Sequence, residues 1–165
     1  MKKMIAALVA ALLMVTMIVP AMAEIQLGQV VYAAHGTKCF AVITVAMDGD
    51  KIADAYIDEF QMLDATAVGV PNSEAMIPVE GKVLASKRVN TEMYSTNMQK
   101  AGSTVAIDAN YDALEAYVTG KTVAELEAEF GAKTAEEAID TVAGCTLADT
   151  LGYVNGIIAA AKTVK

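Results

Sequence analysis

The stretch CFAVITVAMDGDKIADAYIDEFQM, residues 39–62, is the segment that determines the fold class of this chain. Residues 40–47 and 52–60 both alternate with the two-residue period of a β-strand. Between them, Asp48, Gly49 and Asp50 form a sequence typical of a tight turn. The segment therefore predicts a β-hairpin.

The flanking segments add less regular elements. Residues Gln26 to Tyr32 predict one more strand, in front of the hairpin. Residues 63–86 contain Gly69, Pro71, Pro78 and Gly81, so they predict a long loop with one short strand near residues 82–85. Long loops in compact domains often face a ligand.

From about residue 90 the sequence favours helices. Asn90 or Thr91 is expected to cap the first helix, and Asp108 the second. Two capping-box sequences, TVAE at 122–125 and TAEE at 134–137, predict two short helices. The last helix is expected to begin near Leu147 and to pack one apolar stripe on the sheet; its members are Leu147, Leu151, Val154, Ile158 and Ala161.

Strands followed by helices, rather than in strict alternation, indicate an α+β fold. We expect an antiparallel sheet from the N-terminal half, packed by short helices and a longer C-terminal helix. No repeat or low-complexity linker divides the chain, so residues 24–165 are predicted to form a single domain.

Residues 1–23 have the pattern of a cleavable signal peptide. A basic start, Met1-Lys2-Lys3, precedes an apolar run, and Pro20-Ala21-Met22-Ala23 supplies small residues before Glu24. The sequence therefore predicts a protein that is secreted or held in the cell envelope or periplasm, without membrane insertion after cleavage.

The predicted mature protein is strongly acidic. Removal of residues 1–23 leaves ten of the 12 basic residues and all 20 acidic ones, a net charge of −10. Nucleic acids and anionic lipid surfaces attract clustered lysine and arginine, which this sequence lacks, so neither is an expected partner.

Cys39 and Cys145 leave two interpretations open. In an exported protein two cysteines can form a disulfide, whereas free cysteines behave as small buried hydrophobic residues. The absence of a C-x-x-C motif excludes a thioredoxin site, a zinc ribbon and covalent haem.

The sequence gives little indication of a metal site or of a reactive thiolate. His35 is the single histidine, and its spacing from Cys39 is typical of a loop histidine near a buried cysteine, although a thiolate pair or a metal fragment fits the same spacing. Asp48 and Asp50 resemble a turn more than a calcium loop, because the later glutamate of an EF-hand is missing.

The segment DTVAGCTLADT, residues 140–150, is the strongest candidate for a binding site. If the last helix begins near Leu147, the amides of Cys145, Thr146 and Leu147 are among its unpaired donors, and Gly144 lets an anion approach the backbone. Thr146 could equally be the cap of a capping box with Asp149. Lys87, Arg88 and Lys100 supply local positive charge that could fold towards this segment.

The same segment resembles the flavin-attachment motif of exported FMN-binding domains. Those domains carry an aspartate, a short gap, then Ser/Thr-Gly-Ala-Thr, and Asp140, Gly144 and Thr146 match this pattern. Ala143 stands where the family has a hydroxyl residue, and Cys145 where it has alanine. The hairpin and the helix at 90–101 are similar to the family more loosely.

The resemblance implies an FMN-binding, extracytoplasmic electron-transfer module rather than an enzyme with its own substrate. FMN would bind at Asp140, Gly144, Cys145 and Thr146, with Thr146 as the threonine to which a flavin transferase attaches it, and redox partner proteins would exchange the electrons. The departures at Ala143 and Cys145 favour an alternative, a non-redox binding or surface module that retains the scaffold without flavin.

Overall fold

A computed structural model describes residues 24–73 and 79–164. Four strands form one antiparallel sheet in which each strand pairs with its neighbour in sequence, in the order β1-β2-β3-β4. Their bounds are Gln26–Tyr32 (β1), Cys39–Asp48 (β2), Lys51–Asp64 (β3) and Lys82–Ser86 (β4). The predicted strands and the predicted hairpin are confirmed.

The hairpin of β2 and β3 closes through a two-residue turn, since Asp48 pairs with Lys51. Gly49 supplies the positive φ, 61°, that the favoured two-residue turns require at their first position. Further along, Ala46 pairs with Asp54 and Met47 with Ile52, so Ala53 is an extra residue in β3. This bulge changes which side chains of β3 face the core.

Five helices follow the sheet: Thr91–Lys100 (α1), Ile107–Val118 (α2), Val123–Phe130 (α3), Ala135–Ile139 (α4) and Thr150–Ala161 (α5). Both predicted capping boxes are present, at Thr122 with Glu125 and at Thr134 with Glu137. The expected α+β architecture, with a longer C-terminal helix, is therefore confirmed.

The core lies between one face of the sheet and helices α2 and α5. Helix α5 packs on β1 and β2, and α2 packs on β3. The fully buried side chains include Ile43, Ile57, Leu114 and Ile157. Of the predicted apolar stripe on α5, Val154, Ile158 and Ala161 are buried, whereas Leu151 is half-buried and Leu147 lies outside the helix.

Glycine allows α5 to approach its neighbours closely. A Cβ on Gly152 would lie 2.3 Å from the backbone oxygen of Ala34, and one on Gly156 would lie 2.4 Å from the side chain of Ile43. The helix therefore sits closer to β2 and to the segment after β1 than any larger residue would permit.

Two predicted helix starts are wrong, and one predicted side-chain cap is absent although its helix begins as expected. Helix α5 begins at Thr150 rather than near Leu147, and α2 begins at Ile107, with Asp108 already inside its first turn. Asn90 precedes α1, yet its side chain does not cap the helix. Instead the side chain is buried: its Oδ1 accepts the N–H of Val68, and its amide donates to the backbone oxygens of Val68 and Ser86.

The N-terminal half of β3 extends beyond β4, and other residues complete its free edge. Glu115 accepts the backbone N–H of Ile57 at 2.7 Å, and Arg88 donates to the oxygen of the same residue at 3.0 Å. Arg88 also bonds Glu115 at 2.6 Å. Further along, Ile52 exchanges backbone hydrogen bonds with Gly120 and Lys121. The edge is thus protected from pairing with other chains.

The predicted signal peptide, residues 1–23, lies outside the described residues. Among the helices that are described, none has the length and apolar character needed to cross a membrane.

Candidate functional site

A cavity of about 480 Å³ lies beside Lys87, the residue that follows β4. Its volume falls in the range that small-molecule and cofactor sites occupy. The wall comes from the segment after β1, from α1 and the connection to α2, and from the loop that leads into α5. The residues in the wall are His35, Lys87, Tyr94, Met98, Ala101, Gly102, Ser103, Thr104, Ile107, Thr146, Leu147, Ala148, Asp149 and Tyr153.

A buried ion pair lies at the inner wall of this cavity. The ammonium of Lys87 bonds the Glu59 carboxylate, and the two side chains are 1% and 0% exposed. Lys87 also lies over the ring of Tyr94, 4.7 Å from its centre. Burial lowers the pKa of Lys87, but the charge and the hydrogen bond of Glu59 outweigh it, so the pKa is raised. The lysine therefore stays charged.

Two tyrosines complete the environment of Glu59. The hydroxyl of Tyr153 donates to Glu59 Oε2 at 2.8 Å, and that of Tyr111 donates to the same oxygen at 3.3 Å. Burial raises the pKa of Tyr111 and of Tyr153 far above the ordinary value, and neighbouring charged and phenolic groups raise it further. Both phenols thus remain neutral hydrogen-bond donors.

The two oxygens of Glu59 differ sharply. Oε2 accepts hydrogen bonds from Lys87, Tyr111 and Tyr153, whereas Oε1 is buried without a hydrogen-bond partner among the described residues. A buried acceptor without a partner is costly, and a redox or catalytic role is one of the reasons for which proteins retain it. We refer below to Glu59, Lys87, Tyr111 and Tyr153 as the Glu59 cluster.

Cys39 lies next to this cluster and is a thiol. Its pKa is raised to about 11, first by burial and then by the negative charge of Glu59. The thiol donates to the backbone oxygen of His35 at 2.6 Å. Cys145 is buried too, with its sulfur 3.3 Å from the Thr150 hydroxyl. Both cysteines are free in the described structure, which agrees with the small-hydrophobic interpretation.

His35 does not form a thiolate pair with Cys39. The imidazole Nδ1 bonds the carboxylate of Asp149 at the start of α5, so the histidine contributes to the cavity wall rather than to the cysteine. The described residues contain no group of three or more histidine, cysteine, aspartate or glutamate side chains that could hold a metal ion.

Thr146 is exposed on the loop that leads into α5, and it lies in the cavity wall. Its backbone N–H donates to Asn110 Oδ1 at 2.7 Å, and its hydroxyl is 3.4 Å from the same atom. The amide of Asn110 donates to the backbone oxygens of Val105 and Ala106. Asn110 is completely buried, so it links this loop to the start of α2.

The other three predicted flavin-binding residues lie away from the cavity wall. Asp140 is exposed at the end of α4, Cys145 is buried against Thr150, and Gly144 forms a turn with a φ of 85°. Only Thr146 of the four lines the cavity.

Two of the three amides predicted to be free for a phosphate, those of Cys145 and Thr146, already have hydrogen-bond partners. The N–H of Cys145 donates to Val142, and that of Thr146 is taken by Asn110. Because α5 begins at Thr150, these amides precede the helix by a turn instead of forming its N-terminus. For the same reason Thr146 does not cap α5; the residue at the cap position is Asp149, which makes no capping hydrogen bond with its side chain.

The predicted cluster of positive charge is assembled only in part. Lys87 reaches the cavity shared with Thr146. Arg88 turns the other way, to Asp112 and Glu115, and Lys100 bonds Asn97 within its own helix.

Sequence reasoning missed Glu59, Tyr111 and Tyr153. Glu59 could have been noticed as a charged residue inside an alternating strand. The extra residue Ala53, however, reverses the face on which the later side chains of β3 lie. Ile52 and Glu59 both face the core even though seven positions separate them, which strict alternation forbids. The sequence alone therefore did not show that Glu59 points inward.

We expect Asn110→Ala to loosen the Thr146 loop. The change removes the acceptor of the Thr146 amide and the donors to two backbone oxygens, and should cost roughly 2 kcal/mol of unfolding free energy. Amide hydrogen exchange at Thr146 should accelerate more than exchange in β2. Equal acceleration across the chain would show that Asn110 has no local role.

Comparison of the chain with protein-family profiles, with curated proteins and with solved structures gave no match.

Proposed function

We propose that this chain is an exported electron-transfer protein that binds FMN in the cavity, with Thr146 as the attachment residue. One observation carries the proposal: Thr146, the residue that matches the acceptor position of FMN-binding domains, lies in the wall of a cofactor-sized cavity that it shares with Lys87. The threonine is exposed, so its hydroxyl is accessible to a transferase.

The residues of the wall suit a flavin chemically. Tyr94, Met98 and Ile107 provide apolar and aromatic surface for a flat ring system. Lys87 provides a positive charge that stabilises negative charge on a phosphate or on a reduced flavin. The cavity therefore offers both kinds of contact that FMN requires.

The roles divide between cofactor and protein. FMN, when bound, supplies the redox chemistry. Thr146 anchors the phosphate end, Lys87 and the Glu59 cluster set the electrostatic field, and the apolar wall excludes water from the ring. A flavin transferase and redox partner proteins complete the proposal.

The experiment is mass spectrometry of the protein purified from its native host. We expect a mature chain that begins at Glu24 and carries the mass of one FMN less one water, with the visible absorption of a flavin. Thr146→Ala should lose the added mass entirely. Thr141→Ala is the matched control, because Thr141 precedes the same loop, lies outside the cavity wall and bonds Glu137 with its hydroxyl.

Two results would contradict the proposal. An unmodified mass together with colourless protein would remove FMN altogether. A flavin that persists with full occupancy in Thr146→Ala would retain FMN binding and reject covalent attachment at this threonine.

The alternative, a non-redox binding module, is favoured by a separate observation. The amides of Cys145 and Thr146 are already engaged, and Cys145 is packed inside, so the loop offers a phosphate fewer backbone donors than the matching motif implies. Native mass spectrometry would distinguish the two functions, because this alternative predicts a bound molecule other than flavin.

A further inference from the structure

We propose that Glu59 takes up one proton whenever negative charge arrives beside Lys87, so that the cavity couples electron transfer to proton transfer. The inference deepens the proposed function and rests on it, since the arriving charge is that of a reduced flavin. It assigns the role of proton acceptor in the redox step to Glu59, a residue outside the cavity wall.

Lys87 lies between the cavity and Glu59. Lys87 lines the cavity, yet it is 1% exposed and its ammonium bonds a carboxylate that is 0% exposed. The pair is therefore neutral as a unit and buried as a unit. Any anion that contacts Lys87 from the cavity has to share this ammonium with Glu59.

A second negative charge beside Lys87 would be unfavourable for electrostatic reasons. One ammonium would then face two negative charges inside the protein, and a buried charge without its own counter-ion is unfavourable by several kcal/mol. Proteins remove such a charge by protonating the group that carries it. A proton on Glu59 restores neutrality and leaves Lys87 to the new anion.

Glu59 is the group that accepts the proton. The groups that face Glu59 are Lys87 after β4, Tyr111 on α2, Tyr153 on α5 and Cys39 on β2, while Tyr94 on α1 faces Lys87. All of these carry their protons already, and the raised pKa values of Cys39, Tyr111 and Tyr153 keep them protonated. Glu59 is the base of the cluster.

The geometry of the carboxylate supplies the place for the proton. Three donors point at Oε2, whereas Oε1 has no partner among the described residues. A proton on Oε1 displaces none of the three hydrogen bonds.

The site gains two electrons from an external electron-transfer protein and two protons from water. One proton goes to the flavin ring and the other to Glu59 Oε1, and no bond to the protein breaks. The negative charge left on the ring is then compensated by Lys87.

The test is the pH dependence of the midpoint potential of the flavin-loaded protein, measured at an electrode with mediator dyes. Each proton taken up with two electrons changes the equilibrium constant tenfold per pH unit, which corresponds to about 30 mV. From neutral to mildly alkaline pH, the midpoint potential of the wild-type protein should change with pH by the amount that corresponds to two protons. The potential of Glu59→Gln should change by the amount that corresponds to one.

Glu129→Gln is the matched control. Glu129 also bonds a lysine, Lys121, and a tyrosine, Tyr117, but near the surface and away from the cavity wall. Its potential should retain the wild-type pH dependence. Equal pH dependence in wild type and Glu59→Gln would overturn the inference while the flavin itself still supports the proposed function; protein without flavin would overturn both.

An infrared measurement on the wild type covers the case in which Glu59→Gln fails to fold. The reduced-minus-oxidised difference spectrum should gain the carbonyl stretch of a protonated carboxylic acid, and labelling of glutamate with carbon-13 should shift it. A spectrum without that band would reject proton uptake by Glu59.

Discussion

Replacing Lys87 with methionine should lower the free energy of unfolding by about 3–5 kcal/mol, because it leaves the Glu59 carboxylate buried without its counter-ion. Methionine fills a similar volume, so the loss reports the charge rather than a void. Chemical denaturation monitored by circular dichroism measures the change.

Two comparisons isolate the cause. The double variant Lys87→Met with Glu59→Gln removes both charges and should recover most of the lost stability. Lys121→Met removes the lysine of the similar Lys121, Glu129 and Tyr117 group near the surface, and should cost less than about 1 kcal/mol because solvent screens that pair. A Lys87→Met variant no less stable than Lys121→Met would disprove the structural importance of the buried pair.

The same pair determines how stability responds to alkaline pH. The pKa of Lys87 is raised in the folded protein, so its contribution is complete below the ordinary lysine value of about 10.4 and is lost as pH rises through the higher folded value. Wild-type protein should therefore lose more stability than Lys87→Met over this range, and the two should converge.

Gly152→Ala should be the second strongly destabilising change, at about 3 kcal/mol. The added Cβ would lie 2.3 Å from the backbone oxygen of Ala34, and backbone atoms cannot move aside without shifting β1 or the helix. Alanine is the better helix former by about 1 kcal/mol, so the clash has to exceed that gain.

Gly156→Ala tests this reasoning within the same helix. Its Cβ would meet the terminal Cδ1 of Ile43 at 2.4 Å, the end of a side chain that can rotate away. We expect a smaller loss than at Gly152, measured as the shift in thermal midpoint. If alanine raised the midpoint at position 152, the close approach of α5 to Ala34 would be wrong.

The parts of the fold that local chemistry controls were predictable from the sequence. Alternation and the Asp48-Gly49-Asp50 turn predicted the hairpin. The four-residue patterns TVAE and TAEE predicted both capping boxes, because their hydrogen bonds are made within those four residues. Asn90 was misassigned because its best partners, Val68 and Ser86, become available only after the chain has folded. Helix-capping propensity describes the hydrogen bonds that a side chain can make with its neighbours in sequence. It does not say whether a bond to a distant part of the fold is more favourable.

Of the candidate site, the sequence predicted only Lys87 and, most directly, Thr146. Its hydroxyl type and its position before the last helix were visible in the sequence, whereas the Glu59 cluster joins β3, the end of β4, α2 and α5. The Ala53 bulge concealed the inward direction of Glu59, and the partner of the Thr146 amide is Asn110, which lies 36 positions away in the chain. Contacts between residues so far apart in the chain produce no periodic pattern in the sequence.

The strand order has a kinetic consequence for the cavity. Each strand pairs with the next one along the chain, so the sheet closes through local contacts at small entropic cost. The Tyr153 to Glu59 bond spans 94 positions, and Tyr111 to Glu59 spans 52. We therefore expect the sheet to form early and the Glu59 cluster to form late. The cavity would be the last region to take shape during folding and the first to lose it, so ligand affinity would decline under mild denaturant before the strands melt.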